Sequence, residues 1–183
     1  MKKLKWIKID LPVDGKMITS FRAGDLLKLN GFIYTARDKA HQQLADLIEK
    51  NKKLPVELRN SFIYYVGPTP APKGKVIGAA GPTTSSRLDS FSEMMLQLGV
   101  KGMIGKGKRD QKTKNLLKKY QAVYLASFGG AGAFLNKKIL EAEIIAFKDL
   151  GPEAIFRLRV KDFPVVVIND EQGGDWYEKV LGR

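Results

Sequence analysis

Short apolar runs alternate with segments of helical spacing through the second half of this chain, and that alternation limits the folds open to it. Val76–Ala80, Val100–Ile104 and Ala122–Phe128 have the length and composition of buried strands. Segments with apolar residues at helical spacing separate them, from Leu88 onward and over Lys108–Tyr120. The pattern predicts a βαβαβ unit with a parallel sheet.

The remaining segments are richer in strands than in helices. Strands are predicted over the first dozen residues, Leu26–Thr35, Phe62–Val66, Ile144–Phe147, Ala154–Val160 and Val165–Asn169, and helices from Asp38 to about Lys50 and from Gly129 to about Leu140. We expect a turn at Asp14–Gly15, a kink at Asn30–Gly31 and a stiff loop over Gly67–Pro72. The chain of 183 residues is expected to form one α/β domain over residues 1–183, with a β-rich first part before the βαβαβ unit.

The composition excludes several kinds of site. The chain has no cysteine and one histidine, His41. A disulfide scaffold, a cysteine-ligated zinc site and a multi-histidine metal site are therefore excluded within this chain. An iron–sulfur cluster would have to be held by another polypeptide.

The formal charge of +13 suits three classes of partner, namely nucleic acid, an acidic small molecule or an acidic protein subunit. Single-strand binders interleave aromatic and basic residues, whereas the aromatic run Phe62–Tyr65 carries no basic residue, so we expect no nucleic acid. No apolar run approaches the roughly 20 residues that span a bilayer, and we expect no membrane association. Lysines interrupt the first residues and no small-residue cleavage site follows, so we expect a cytoplasmic protein.

The segment Gly81–Asp89 combines turn hydroxyls with a cation at a predicted helix start. Thr83, Thr84 and Arg87 would lie where the helix dipole favours an anion. Two more cations, Arg37 and Lys106, end other strand-like runs, and three fixed cations with turn hydroxyls suit a small di-acid. The alternative is an ordinary helix start with Ser and Thr caps.

A second candidate lies at the start of the first long helix. Asp38 is most simply its capping residue, and the spacing of Arg37, Asp38 and His41 lets one helix end present all three. Asp38 would then orient the imidazole and set its tautomer, although a lone histidine is more often structural than catalytic. The glycines of Gly105–Arg109 and Gly129–Gly132 lack the spacing of phosphate-binding and dinucleotide-binding loops, which argues against both kinds of site.

Taken together, these segments resemble the β subunit of the iron–sulfur-dependent class I fumarases and of L-tartrate dehydratase. The matching segments occur in family order over nearly the whole chain: Ala23–Asp25, Thr35–Asp38 with His41 and its helix, Val66–Pro68, Gly81–Arg87, Gly105–Gly107, Gly129–Gly130 and Arg159–Pro164. Each is weak alone, and their combination is specific.

The resemblance implies a "swivelling" β/β/α domain, which is C-terminal in fused enzymes and a separate subunit here. It also implies an α subunit whose three cysteines hold a [4Fe–4S] cluster with one open iron. The expected assembly is a hetero-oligomer with β–β or α–α contacts, and the expected ligand is a small dicarboxylate.

The resemblance further implies roles for individual residues. Arg37, Arg87 and Lys106, with Thr84, would bind the substrate carboxylates, and Thr83 would be the base, with His41 as the alternative proton acceptor. The expected activity is the interconversion of fumarate and L-malate by a hydro-lyase. Conversion of tartrate to oxaloacetate is the alternative within the family, and a basic nucleic-acid-binding module or a non-catalytic assembly domain are the alternatives outside it.

Overall fold

The computed structural model describes residues 5–182, which form a mixed α/β fold. Within them the strands are β1 (Trp6–Asp10), β2 (Leu26–Thr35), β3 (Phe62–Tyr64), β4 (Gly102–Gly105), β5 (Val123–Ala126), β6 (Ile139–Ala146) and β7 (Ile155–Asn169). The α-helices are α1 (Gly15–Ser20), α2 (Asp38–Glu49), α3 (Ser92–Gln97), α4 (Gln111–Lys119), α5 (Gly132–Leu135) and α6 (Trp176–Leu181). Three 3-10 helices cover Ser85–Phe91, Asn136–Lys138 and Lys148–Glu153. Residues 1–4, part of the first predicted strand, lie outside the described residues.

The seven strands form one sheet, and pairing closes five of them into a ring. β2, β3, β4 and β5 are neighbours in that order and run parallel. β7 pairs antiparallel with β5 and also with β2, which completes the ring. β1 extends it from β2, and β6 extends it from β7. A βαβαβ unit is present as β3, α3, β4, α4 and β5, so its last two strands are confirmed and its first strand differs from the one predicted.

The parallel strands are buried on both faces because alternate side chains enter two different cores. Phe62, Tyr64 and Val66 belong to a core to which every strand of the ring contributes. Ile63 and Tyr65 belong to a second core, which also receives apolar side chains from α2, α3 and α4. This two-sided burial explains why these strands are continuous apolar runs in the sequence.

The segment Val76–Ala80 is not a strand, and that prediction is wrong. Ala79 N–H donates to Thr69 Oγ1 over 2.8 Å, and Gly78 N–H donates to Thr69 O over 3.2 Å. The segment therefore folds against the loop after β3, and β3 itself is the first strand of the βαβαβ unit. An apolar run of five residues fits either a strand or a packed loop, and its pairing partner decides between them.

The last two predicted strands form one continuous strand, β7. At its middle Asp162 has a φ of 49°, and its N–H donates to Asn30 Oδ1 over 2.9 Å. The register between β2 and β7 shifts at the same place, between Leu29 and Gly31, so the kink expected in β2 is confirmed. The irregularity of both strands is absorbed in their pairing and does not end either one.

Two smaller differences concern the ends of elements. The predicted turn at Asp14–Gly15 is the start of α1, where Asp14 Oδ1 accepts a hydrogen bond from Met17 N–H over 2.7 Å. β6 begins at Ile139, five residues before the strand predicted there, and shortens the preceding helix. No helix in the described part of the chain is long and apolar enough to cross a membrane.

Candidate active site

The parallel strands β2 to β5 end at one edge of the sheet, and the segments singled out in the sequence gather there. Arg37 and Asp38 follow β2, Lys106 follows β4, and Gly129 lies shortly beyond β5. Ligands of such sheets bind outside the carboxyl ends of the strands, where the loops that follow each strand meet. This edge is therefore the candidate site.

The segment Thr83–Ser85 is inserted between the ends of β3 and β4. Thr83 N–H donates to Tyr65 O over 2.8 Å, and Thr83 O accepts from Lys106 N–H over 3.2 Å. Ser85 N–H donates to Lys106 O over 2.9 Å, so that Thr84 and Lys106 form an isolated parallel bridge. The backbone that carries Thr83, half-buried, and Thr84, exposed, is thus fixed beside Lys106.

Asp38 joins two arginines at this edge. Its Oδ2 lies 2.8 Å from Arg87 Nη2 and 3.6 Å from Arg37 Nη2. The predicted capping role is wrong, because Arg37 is the N-cap residue of α2 and Asp38 is the first residue of the helix, with its carboxylate turned to the arginines. Arg87 lies on the exposed side of the 3-10 helix Ser85–Phe91, with 48% of its side chain exposed.

Arg37 is held closely and still has a donor to spare. A Cβ built on Gly67 would lie 2.7 Å from Arg37 Nη1, so a side chain at this position would displace the guanidinium. Arg37 Nε is buried and has no hydrogen-bond partner among residues 5–182. A buried N–H without a partner costs free energy, so a small movement of the guanidinium that brings Nε to an acceptor would be favourable.

Lys106 adds a third cation and is exposed. Its Cδ would be 3.6 Å from a Cβ built on Gly129, so its side chain runs along the loop after β5. Within residues 5–182 it forms no ion pair, whereas the other two cations share the carboxylate of Asp38. A second carboxylate, that of Glu153, accepts from Lys39 N–H over 3.0 Å at the start of α2. The arrangement can bind a ligand with two negative charges.

His41 lies apart from these residues, in the second core. Its side chain is fully buried, with ring centroids 5.7 Å from Tyr65 and 5.4 Å from Phe91. Nδ1 is 2.7 Å from the carbonyl oxygen of Arg37, which can only accept, so Nδ1 carries the proton. Burial lowers the pKa of His41 to about 4. The imidazole is therefore neutral at pH 7, and the carbonyl of Arg37, in place of the Asp38 carboxylate, sets its tautomer.

Arg109, at the end of the basic turn after β4, is also buried. Its guanidinium contacts Asp89 through Nε and donates from Nη2 to Ser92 Oγ over 2.6 Å. The rings of Tyr65 and Tyr124 lie 5.6 and 5.0 Å from its Cζ. Its side chain is fully enclosed, so this cation is part of the core and is closed to a ligand.

Comparison with known proteins identifies the family. The family model described as "Fumarase C-terminus" matches residues 1–180. The chain belongs to this family. "Fumarate hydratase 2" of Leishmania major is 35% identical over 181 residues, which are 96% of this chain and 32% of that protein. "Fumarate hydratase class I, anaerobic" of Escherichia coli is 34% identical over 183 residues, which are 97% of this chain and 33% of that protein.

A third relative is matched over most of its own length. The protein named "Putative L(+)-tartrate dehydratase subunit beta" of Methanocaldococcus jannaschii is 36% identical over 171 residues, which are 90% of this chain and 88% of that protein. The chain thus spans about a third of the fumarate hydratases and most of the protein named as a subunit.

This chain lacks the residues that ligate an iron–sulfur cluster. It has no cysteine. Within residues 5–182 no group of three or more His, Asp and Glu side chains is placed to hold a metal ion. Because such clusters are held mainly by thiolates, the residues of this chain do not fit one.

Sequence reasoning missed the residues that hold the site in shape. Gly67 leaves room for Arg37, and Gly105 leaves room for Ser85, whose Oγ would collide with a Cβ at that position. A glycine at the end of a buried strand is the available signal, since it often marks a close approach of backbone or side chain. Ser85 and Tyr124 gave no such signal, because the sequence does not show which group a buried hydroxyl contacts.

Proposed function

We propose that this chain is the β subunit of a hydro-lyase that interconverts fumarate and L-malate, supplying the cations for the substrate carboxylates and the residue that transfers the proton. The observation that carries the proposal is the convergence of Arg37, Arg87, Lys106 and Thr83 on one exposed sheet edge. Asp38 orients the two arginines through one oxygen. An arginine held in this way presents its planar fork to a carboxylate with little loss of side-chain freedom.

The reaction needs a base, and the geometry favours Thr83 over His41 for that role. Thr83 lies in the segment that contacts Lys106, whereas His41 is enclosed between two aromatic rings. Thr83, in its alkoxide form, would take the proton from the carbon next to one substrate carboxylate. The electron pair of that C–H bond would form the double bond as the carbon–oxygen bond breaks and hydroxide leaves. The abstracted proton and the hydroxide together make up the water that is released. A threonine hydroxyl is a weak base, so the cations beside it must stabilise both the alkoxide and the charge that develops on the carboxylate.

The remaining parts of the proposal concern the partner. A separate α subunit would hold the [4Fe–4S] cluster, a Lewis acid for the leaving hydroxyl. In that arrangement the present chain is a single swivelling β/β/α domain of a cytoplasmic hetero-oligomer that binds no nucleic acid. The similarity to the protein named as a tartrate dehydratase subunit makes tartrate dehydration the second candidate.

Exposed apolar side chains beside the site support a covering partner. Val76, Phe128 and Phe134 are 48%, 44% and 49% exposed. They lie on segments that flank the edge, since Ala80 N–H donates to Gly132 O over 3.2 Å and Gly129 lies along Lys106. We propose the α subunit as the occupant of this surface, because its cluster has to reach the substrate held by the three cations.

The test is reconstitution of the two subunits under anaerobic conditions, with malate, fumarate and tartrate as substrates. Thr83→Ala should abolish turnover, while Ser86→Ala, an exposed hydroxyl three residues away, should leave it unchanged. The isolated chain should bind negligible iron and turn over none of these substrates. A Thr83→Ala complex with the turnover of the unaltered complex, or a stoichiometric cluster in the isolated chain, would overturn the proposal.

A further inference from the structure

Beneath the exposed site, a chain of three hydrogen bonds runs from the backbone N–H of Lys106 through Ser85 and the buried Tyr124 to the carbonyl of Gly107. Lys106 N–H donates to Ser85 Oγ over 3.1 Å, and Ser85 Oγ lies 3.0 Å from Tyr124 Oη. Tyr124 Oη lies 2.9 Å from the carbonyl oxygen of Gly107. A carbonyl can only accept, so Tyr124 donates to Gly107, and Ser85 in turn donates to Tyr124. The two hydroxyl protons of the chain thus have one acceptor each, and the direction of both bonds is fixed.

The surrounding backbone accommodates this chain. Ser85 and Tyr124 are both fully buried. Gly105 has no side chain at the point where Ser85 Oγ lies, and Gly107 has a φ of +83°, which turns its carbonyl toward the tyrosine. Burial raises the pKa of Tyr124, so its hydroxyl remains a donor throughout the physiological range.

The chain determines where Lys106 stands relative to Thr83. Lys106 N–H is shared between Ser85 Oγ and Thr83 O, and Lys106 O accepts from Ser85 N–H. Without the Ser85 hydroxyl, Lys106 N–H would keep only the 3.2 Å contact to Thr83 O. The backbone bridge would remain through Ser85 N–H and Lys106 O, but the Lys106 N–H side of it would be held only by that long hydrogen bond.

We propose that Ser85 and Tyr124 are positioning residues, which hold Lys106 and Thr83 in the arrangement that binds a carboxylate and transfers the proton. The inference rests on the proposed function, because it assigns those two roles to Lys106 and Thr83. Neither hydroxyl touches the substrate. Their effect passes through the backbone of Lys106, so it changes the kinetics and leaves the fold in place.

The test compares three variants in the reconstituted two-subunit complex. Tyr124→Phe removes the hydroxyl and keeps the ring that contacts Arg109, and Ser85→Ala removes the middle of the chain. We expect each to lower kcat/KM about tenfold, and the double variant to lose no more than about the same factor, because residues that act as one unit are not additive. Two independent losses that multiply to about a hundredfold would overturn the idea of one connected chain.

Ser61→Ala is the matched control. Ser61 is also buried, and its Oγ donates to Leu58 O over 2.6 Å, far from the site edge at the start of β3. It should lower the melting temperature about as much as Ser85→Ala and leave kcat and KM unchanged. If Ser85→Ala behaves in the same way, its role is only structural and the proposal fails.

Binding of succinate, an unreactive dicarboxylate, separates this inference from the proposed function. Calorimetry on the unaltered complex should detect succinate, and Tyr124→Phe should weaken its binding several-fold, whichever substrate the enzyme turns over. Succinate binding without turnover of malate, fumarate or tartrate would remove the proposed reaction and keep the positioning role. A complex that binds no succinate would overturn both, and unchanged binding and kinetics in Tyr124→Phe would overturn the positioning role alone.

Discussion

The 3-10 helix Ser85–Phe91 contributes to two arginine–aspartate pairs, one on its exposed side and one on its buried side. On the outer side Arg87 contacts Asp38 over 2.8 Å, and the two side chains are 48% and 41% exposed. On the inner side Arg109 contacts Asp89, and the two side chains are 0% and 9% exposed. The same residue types are exposed at the candidate site in one place and enclosed in the core in the other.

The difference lies in how completely each guanidinium is satisfied. Arg109 has Asp89, Ser92 and two tyrosine rings around it, and Asp89 also accepts a hydrogen bond from Asp110 N–H over 3.0 Å. A buried charge needs such a full set of partners, because the loss of water is otherwise not compensated. The outer pair is exposed to solvent and has fewer partners, as the proposed exchange of water for a substrate carboxylate requires.

The largest effect expected from this comparison is on folding. Arg109→Met leaves Asp89 enclosed without its cation and should lower the free energy of unfolding by about 3–5 kcal/mol. Arg87→Met, on the exposed side, should lower it by less than about 1 kcal/mol. Urea unfolding of both variants measures the difference. Adding Asp89→Asn to Arg109→Met should restore part of the loss, and equal losses in the two single variants would contradict the distinction.

The second prediction concerns His41, which packs against Phe91 on the inner side. Its pKa is about 4 in the fold, below the ordinary value of 6.5, so the fold favours the neutral ring. The unfolded chain therefore binds the extra proton first, and stability is complete above pH 6.5 and falls between pH 6.5 and 4. Over that whole range the free energy of unfolding should fall by roughly 3 kcal/mol.

Unfolding free energies between pH 7 and 5.5 measure this dependence before most carboxylates titrate. His41→Asn has no titrating group at that position and should show a flatter profile over the same range, whatever its absolute stability. A profile as steep as that of the unaltered chain would mean that His41 is accessible to protons in the fold, and would return it to consideration as the base.

The third prediction tests whether the outer arginine acts through its shape. Arg87→Lys keeps the charge and loses the guanidinium fork, so kcat/KM of the reconstituted complex should fall at least about tenfold, or roughly 1.4 kcal/mol, with folding intact. Arg157→Lys is the matched control, since Arg157 forms an exposed pair with Glu143 over 2.7 Å on the β6–β7 pair. Near-unaltered kinetics in Arg87→Lys would show that Arg87 is only a surface charge.

The sequence predicted the site edge well, because it depends on local elements. β2, α2 and the parallel strands β3 to β5 follow from apolar runs and helical spacing, and parallel strands bring their carboxyl ends together without further information. Arg37 and Lys106 therefore lie at the same edge of the sheet, and Asp38 links Arg37 to Arg87 there. The closure of the ring by β7 on β2 depends on pairing between distant segments, which no local pattern contains.

Burial is the part of the site that the sequence left open. Lys106 and Arg109 belong to the same basic turn, yet one is exposed and the other enclosed, because the chain reverses toward α4 between them. A weak signal existed for His41, which shares the buried face of α2 with Ala40 and Leu44. A polar residue at an apolar helical position is more often part of the core than of a site, and the structure places His41 there.

The smallest expected effect belongs to Asp38, the acid that contacts both outer arginines. Asp38→Asn removes both outer ion pairs, but exposed pairs contribute little, so the free energy of unfolding should change by less than about 1 kcal/mol. The same change should raise KM for malate several-fold, because Arg37 and Arg87 lose the carboxylate that orients them. Substrate titrations of the reconstituted complex measure that effect, with Glu143→Gln, which breaks the exposed pair with Arg157, as the control. A lower KM in Asp38→Asn would mean that the carboxylate repels the substrate more than it orients the arginines, and that Asp38 weakens substrate binding.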